Sequence, residues 1–315
     1  MTLSKCYQYI SLNQDVQNIF QIIKKASGAG ICTILDVEDS IEIPLHPERT
    51  KILKALAREN LEMLLDLMDE RNTQLPLSIR INMAGSEQFD KDIVMLNALA
   101  ERLVWRSIVL PKTASTDYLQ ETHDTLKKVR YHELVIIAET ADFFVNAQSI
   151  VKKCDELKIK KIQFGHWDYF YSVREFPTPL PDNVKLWEMV KKILKLIEGR
   201  DIEYVHTPYC FLFDHEGFHA LANYLYHLAG RPIGLLGLTF SQCMQIMRQV
   251  QGVSSFNPRP DNYSREQKIE MAQNTIDFFE NKNQEEFSFN IKKENHQFVA
   301  PHEYLGALHY LSENE

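Results

Sequence analysis

Five short apolar runs in this 315-residue sequence end in ionisable side chains. The endings are Asp36-Val-Glu38-Asp39, Arg80-Ile-Asn82, Pro111-Lys112, Glu139-Thr140 and Gly165-His166-Trp167-Asp168. If the runs are strands, side chains alternate across them. Arg80 and Asn82 then share one face against Ile79 and Ile81, while Asp36 and Glu38 oppose Leu35 and Val37. A face that packs on helices must be apolar, so the charged set points the other way. Buried charge there is costly unless it is paired or holds a metal.

Glu139 and Asp168 stand 29 residues apart, the length of one strand–helix unit. Their strands are expected to be neighbours, about 4.8 Å apart. Two carboxylates on adjacent strand ends can share a hard divalent cation, Mg²⁺ or in its place Mn²⁺. The same residues also suit a helix N-cap or a salt bridge, and spacing alone does not choose. The planar fork of Arg80 suits a substrate carboxylate or a polarised carbonyl oxygen; an ion pair with Asp36 or Glu38 is the structural alternative. Lys112 invites a Schiff base with a ketone, or else a structural or substrate-contacting role. The eleven histidines form no HxH or HExxH cluster, so His166 and His206 read as polar mouth residues rather than metal ligands.

What must position these groups is a repeated unit. Eight runs read as strands: Tyr7–Ser11, Ile31–Val37, Leu77–Asn82, Ser107–Pro111, Glu133–Glu139, Lys161–Gly165, Ile202–His206 and Pro232–Leu238. Helix-period segments lie between them, such as Ile52, Leu53, Leu56, Leu61, Leu64, Leu65 and Met68. Another, Phe218 to Leu228, is stopped by Gly230 and Pro232. Alternating strands and helices imply a parallel sheet, and eight units imply closure into an α/β (β/α)8 TIM barrel, with its chemistry at the C-terminal strand ends. An open doubly wound sheet would carry a glycine-rich turn after its first strand, where SLNQDVQN stands instead. The barrel is expected over 1–250. A helical and irregular appendage follows over 251–315, polar from about Gly252, with one helix near Ser264–Lys282, capping the mouth or a neighbouring subunit. The aromatic, proline-rich segment after Asp168 suits either a lid or a packing surface for that appendage.

Composition narrows the class. A hydrophobic content of 44% supports a large core, and a net charge of −8 argues against nucleic acid and anionic membranes as partners. No apolar run is long enough to span a bilayer, and the first residues lack a signal-peptide apolar region, so a cytoplasmic location is expected. Cys6, Cys32, Cys154, Cys210 and Cys243 form no CxxC pair and read as core residues.

The strand-end series resembles the citrate lyase β-subunit family of the HpcH/HpaI aldolase superfamily. Ile34-Leu-Asp36-Val-Glu38-Asp39-Ser40-Ile41, followed by Lys51 and Arg58, is similar to its DLEDAV-type segment and K…AR helix. Arg80-Ile-Asn82, Pro111-Lys112, Ile137-Ala-Glu139-Thr140-Ala141 with Asn146-Ala147, and Phe164-Gly165-His-Trp-Asp168 are similar to its remaining motifs, in order, over roughly 1–250. The resemblance implies that Glu139 and Asp168 are Mg²⁺ ligands and that Arg80, Glu139 and Asp168 are catalytic. It further implies that Arg80, Asn82, Lys112, Gly165, His166 and Trp167 bind substrate, with Asp36, Glu38 and Asp39 behind them. The activity implied is carbon–carbon lyase or aldolase chemistry on a citryl-, malyl- or citramalyl-type thioester, on coenzyme A or an acyl carrier, or on a related hydroxy acid. It passes through a metal-stabilised enolate to an α-keto acid. Asp39, Lys112 or a neighbouring subunit's carboxylate would serve as base, in a homo-oligomer, a trimer or hexamer. Phe143 and Phe144 stand where the family usually has glycine, and Thr239-Phe-Ser-Gln242 replaces its His-Pro-x-Gln. An acyl-thioester hydrolase with the same site, a Schiff-base aldolase using Lys112, and a non-catalytic metabolite-binding barrel are the alternatives.

Overall fold

The computed structural model describes residues 5–43, 45–248, 256–280, 290–292 and 295–314. Its eight parallel strands close in sequence order. They are β1 (Lys5–Ser11), β2 (Cys32–Asp36), β3 (Ser78–Arg80), β4 (Trp105–Leu110), β5 (Tyr131–Ala138), β6 (Lys161–Phe164), β7 (Glu203–His206) and β8 (Gly234–Leu236). The helices are α1 (Val16–Gly28), α2 (Pro47–Glu70), α3 (Glu87–Ala98), α4 (Thr116–Thr125), α5 (Ala141–Val145), α6 (Ala147–Glu156), α7 (His166–Ser172), α8 (Val184–Leu196), α9 (His215–Ala229) and α10 (Phe240–Arg248). This is the (β/α)8 barrel that the alternating pattern predicts.

Strand alternation sorts the core into two layers. Tyr7, Ile34, Val109, Val135, Ile137 and Leu236 fill the barrel interior. Leu35, Ile79, Ile108, Ile136 and Ile162 face outward and join the apolar stripes of the surrounding helices, among them Ile19, Ile23, Leu61, Leu64 and Met68. Helix starts are set by side chains that accept otherwise orphaned N–H groups: Ser86 from Phe89, Thr140 from Phe143 and Asp214 from Gly217. Gly230 ends α9 at a φ of 62°, the left-handed conformation glycine adopts without a Cβ clash. All five cysteines are free and buried. Among the described residues, no helix is long and apolar enough to cross a membrane.

The C-terminal segment is more regular than its composition predicts. It holds α11 (Arg265–Glu280), matching the expected helix, whose end at Lys282 lies outside the described residues, as does Gly252. It also holds an antiparallel pair, β9 (Asn290–Lys292) and β10 (Gln297–Val299), and α12 (Pro301–Asn314). α12 carries no strong local stripe, its buried face being only Pro301, Tyr304 and Ala307, and it packs along α11. Phe279, Val299 and Tyr304 enclose Ile43 from the loop after β2, and Ala272 and Ala307 enclose Phe176 from the segment after α7. Phe298 N–H donates to Cys210 O, in the loop after β7, at 2.7 Å. Each of these loops leaves the C-terminal end of a barrel strand. The aromatic segment after Asp168 thus meets the C-terminal residues through Phe176, and Arg174 reaches Glu313 at 2.7 Å.

One interior position limits the packing of the barrel. A Cβ on Gly234 would lie 2.7 Å from Tyr7 Cε2 and 2.9 Å from Val205 Cγ2. Gly234→Ala is therefore expected to destabilise the fold by about 1–3 kcal/mol through overpacking, read as a lower urea midpoint. An unchanged midpoint would show that the barrel interior is looser than these contacts require.

Candidate metal centre

Arg80 is the hub of the mouth. The register sets Asp36 beside it. Its Nε and Nη2 bond the two oxygens of Asp36 at 2.9 and 2.5 Å, and its Nη1 reaches Asp39 at 2.9 Å and Glu38 at 3.2 Å. The Tyr9 ring covers the guanidinium, 4.6 Å from its centroid. Most of the five N–H donors of an arginine are thus committed to protein carboxylates. The ion pair and the cavity wall coexist in one residue, because Arg80 also lines the central cavity.

Lys112 is a second internal cation. Its Nζ lies 2.8 Å from Glu38, 3.1 Å from Asp39 and 3.6 Å from Asp168. Burial works against its charge, but Asp39, Glu38 and Asp168 outweigh that and raise its pKa well above the ordinary lysine value. These acids favour its ammonium form, whereas a Schiff base forms from the free amine. The Schiff-base route and the base role at Lys112 would both require it to lose its proton against these carboxylates.

Asp39, Glu139 and Asp168 bring carboxylate oxygens within 4.8 Å of one another. Glu139 follows β5 and accepts from the backbone N–H of Lys112 at 2.7 Å. Asp168 lies in the first turn of α7, one turn past the end of β6. Gly165 makes room between them, since a Cβ there would meet Glu139 Oε2 at 2.3 Å. Burial, with Asp168 and Asp39 close by, raises the Glu139 pKa well above the carboxylate range. Burial and Asp39 push Glu38 up to about 8. Asp39 itself is buried, yet Lys112 and Arg80 hold it well below its usual value. The cluster carries more acid than Arg80 and Lys112 neutralise. An all-oxygen donor set with surplus negative charge fits a hard divalent cation.

Two cavities meet at this wall. The central one, about 350 Å³, is lined on its far side by Tyr9, Gln163, Thr207, Leu236, Trp167 and Phe298. The other, about 300 Å³, lies towards Lys112, Thr140, Tyr171 and Leu305. Asp39, Glu139, Asp168 and His302 line both. His302 comes from α12, and its Nε2 stands 3.2 Å from Asp168 Oδ1. Burial disfavours its charge, but Asp168 prevails and raises it to about 9.

The predicted residues divide accordingly. Arg80, Glu139, Gly165, Trp167 and Asp168 line the central cavity, with Asp36 and Asp39, and Lys112 lines the second. Asp39, expected behind Glu139 and Asp168, stands beside them. Asn82 does not reach the cavity. β3 ends at Arg80, so alternation no longer governs Asn82, which turns to the helices and bonds Asp92 at 2.8 Å and Lys54 at 2.6 Å. His166 is also outside the lining. Its ring is buried with Nδ1 against Thr207 Oγ1, and burial lowers its pKa to about 3. Tyr9, Gln163 and Thr207 were missed, although the inward alternation of β1 and β6 marks the first two. His302 and Phe298 carried no local signal.

No protein-family model matches this sequence, and no curated protein matches it. Solved structures do match in fold. RipC from Yersinia pestis aligns with a TM-score of 0.57 at 16% identity, covering 80% of this chain and 96% of its own. The citrate lyase β subunit from Mycobacterium tuberculosis, complexed with oxaloacetate and magnesium, aligns with a TM-score of 0.59 at 18% identity, covering 80% and 98%. CitE from the same organism, in complex with magnesium, acetoacetate and coenzyme A, aligns with a TM-score of 0.59 at 16% identity, covering 99% and 98%. At these identities the likeness establishes the shared barrel fold.

Removing the hub leaves buried acids unpaired. Arg80→Met is expected to destabilise the protein by about 3–5 kcal/mol, measured by urea unfolding in metal-free buffer. A loss under about 1 kcal/mol, the size of an exposed pair, would mean that the Asp36 and Asp39 contacts are not structural.

Proposed function

We propose that this chain is a Mg²⁺-dependent carbon–carbon lyase that cleaves a hydroxy acid, free or as its thioester, into an α-keto acid and a second carboxyl compound. The observation that carries the reading is the Asp39–Glu139–Asp168 trio, facing a cavity of about 350 Å³ beside Arg80. That volume suits a small ligand. The fold is shared with proteins whose structures hold magnesium with oxaloacetate or acetoacetate. Sequence motifs in register with the strand ends support the same chemistry.

Asp39, Glu139 and Asp168 would hold the cation. When bound, Mg²⁺ supplies a Lewis acid that stabilises the negative charge developing on an enolate or carbonyl oxygen. The remaining work falls to the chain. Arg80, fixed by Asp36 and Asp39, presents positive charge to the cavity without a reorganisation cost when the bond breaks. Tyr9, Gln163 and Thr207 supply neutral hydrogen-bonding groups that can orient a carboxylate or hydroxyl, and Tyr9 is itself held by Gln163 at 2.9 Å. Trp167, Leu236 and Phe298 exclude water from the same space. Lys112 pairs with Glu38 and Asp39 and, with Arg80, favours the ionised form of Asp39.

The expected result of a thermal-shift titration is stabilisation by Mg²⁺ that increases with pyruvate, oxaloacetate or glyoxylate; saturation at about 100 times the dissociation constant corresponds to about 2.7 kcal/mol. Glu139→Ala should abolish both responses. Keto-acid release from a panel of malyl, citramalyl and citryl compounds should require Mg²⁺ and fall at least about 100-fold in the variant, beyond the range for outer-shell changes. A wild-type protein that neither binds Mg²⁺ nor releases a keto acid contradicts the proposal.

A further inference from the structure

The lyase reading leaves one ionisable group at the centre without a role. His302 arrives from α12, 134 residues beyond Asp168, yet it lines both cavities. Its Nε2 is 3.2 Å from Asp168 Oδ1, and Lys112 Nζ is 3.6 Å from that same oxygen. Both groups thus address Oδ1. The other ring nitrogen of His302 is buried with no partner among the described residues, an arrangement that works against burying the ring there. What holds the ring is its surroundings. Tyr171 packs edge-on at 5.8 Å, and Trp167, the residue before Asp168, packs on Phe298 at 5.6 Å. His302 of α12 and Phe298 of β10 therefore grip the first turn of α7, one through Asp168 and one through Trp167.

We propose that His302 is a positioning residue of the metal centre, which anchors Asp168 through Oδ1 and so holds its carboxylate beside Asp39 and Glu139, the set that would hold the cation. The C-terminal helix is then part of the site, though far from its other ligands in sequence. The inference rests on the metal reading above and goes beyond it. Ligating carboxylates depend on such outer contacts, whose loss typically costs 10–100-fold in metal affinity. Linkage requires the converse as well: bound metal must strengthen the docking of α12.

The test is Mn²⁺ binding to the full chain, followed by electron paramagnetic resonance. The wild type is compared with His302→Ala and His302→Gln, the latter keeping an N–H donor near the position of Nε2. The alanine variant is expected to bind about 10–100-fold more weakly, and the glutamine variant to recover most of the loss. If the alanine variant fails to fold by circular dichroism, His302→Asn, polar but too short to reach Asp168, takes its place with the same expected loss. Wild-type affinity in the alanine or asparagine variant overturns the inference and leaves the metal reading standing. An equal loss in the alanine and glutamine variants overturns it too, because the N–H contact is then not what matters. A wild type that binds no Mn²⁺ overturns both.

Discussion

A surplus of buried negative charge at one end of the barrel constrains everything else in this structure. Asp36, Glu38, Asp39 and Glu139 are each under 7% exposed, and Asp168 joins them at the same wall. Carboxylates so placed lose their hydration and repel one another. Arg80 and Lys112 answer part of this: one is forked onto Asp36, the other bridges Glu38 and Asp39. Glu139 is left with a backbone N–H as its partner and two acids beside it. The cluster therefore favours holding a proton or gaining a cation, and a divalent ion among Asp39, Glu139 and Asp168 would resolve the imbalance in one step.

Two kinds of work follow for the cationic side chains. Arg80 and Lys112 are engaged by protein carboxylates before any ligand arrives, so their first effect is to fix geometry and favour the ionised form of Asp39. Their effect on a ligand is that of preset charge, not of flexible arms that close on it. Neutral groups, Tyr9, Gln163 and Thr207, complete the opposite wall, and apolar side chains narrow it. The mouth is also a meeting point of the two ends of the chain. β1 supplies Tyr9, and the last helix supplies His302.

The barrel was legible because each unit joins an apolar run to a helix-period segment, a pattern with one economical closure. Arg80, Asp36 and Glu38 were legible from alternation, since Leu35 and Ile79 had to face the helices. The same rule misplaced Asn82, because it holds only inside the ladder and β3 stops two residues earlier. Asp39 sits on a short 3-10 turn past β2, where alternation says nothing about direction, so its place in the acid trio emerged only from the fold. His166 faces Thr207 because α7 begins at once after Gly165 and sends successive side chains around a helix. His302 was beyond local reading altogether. Its position depends on α11, β9, β10 and the loop after β7 packing together, and nothing near residue 302 in sequence encodes a partner at 168.

The most direct test of the central claim is anomalous diffraction from crystals soaked in MnCl₂. The account predicts one strong peak at coordination distance from carboxylate oxygens of Asp39, Glu139 and Asp168, with Arg80 still forked on Asp36. No peak there, with Lys112 and His302 holding the acids unaided, would contradict it.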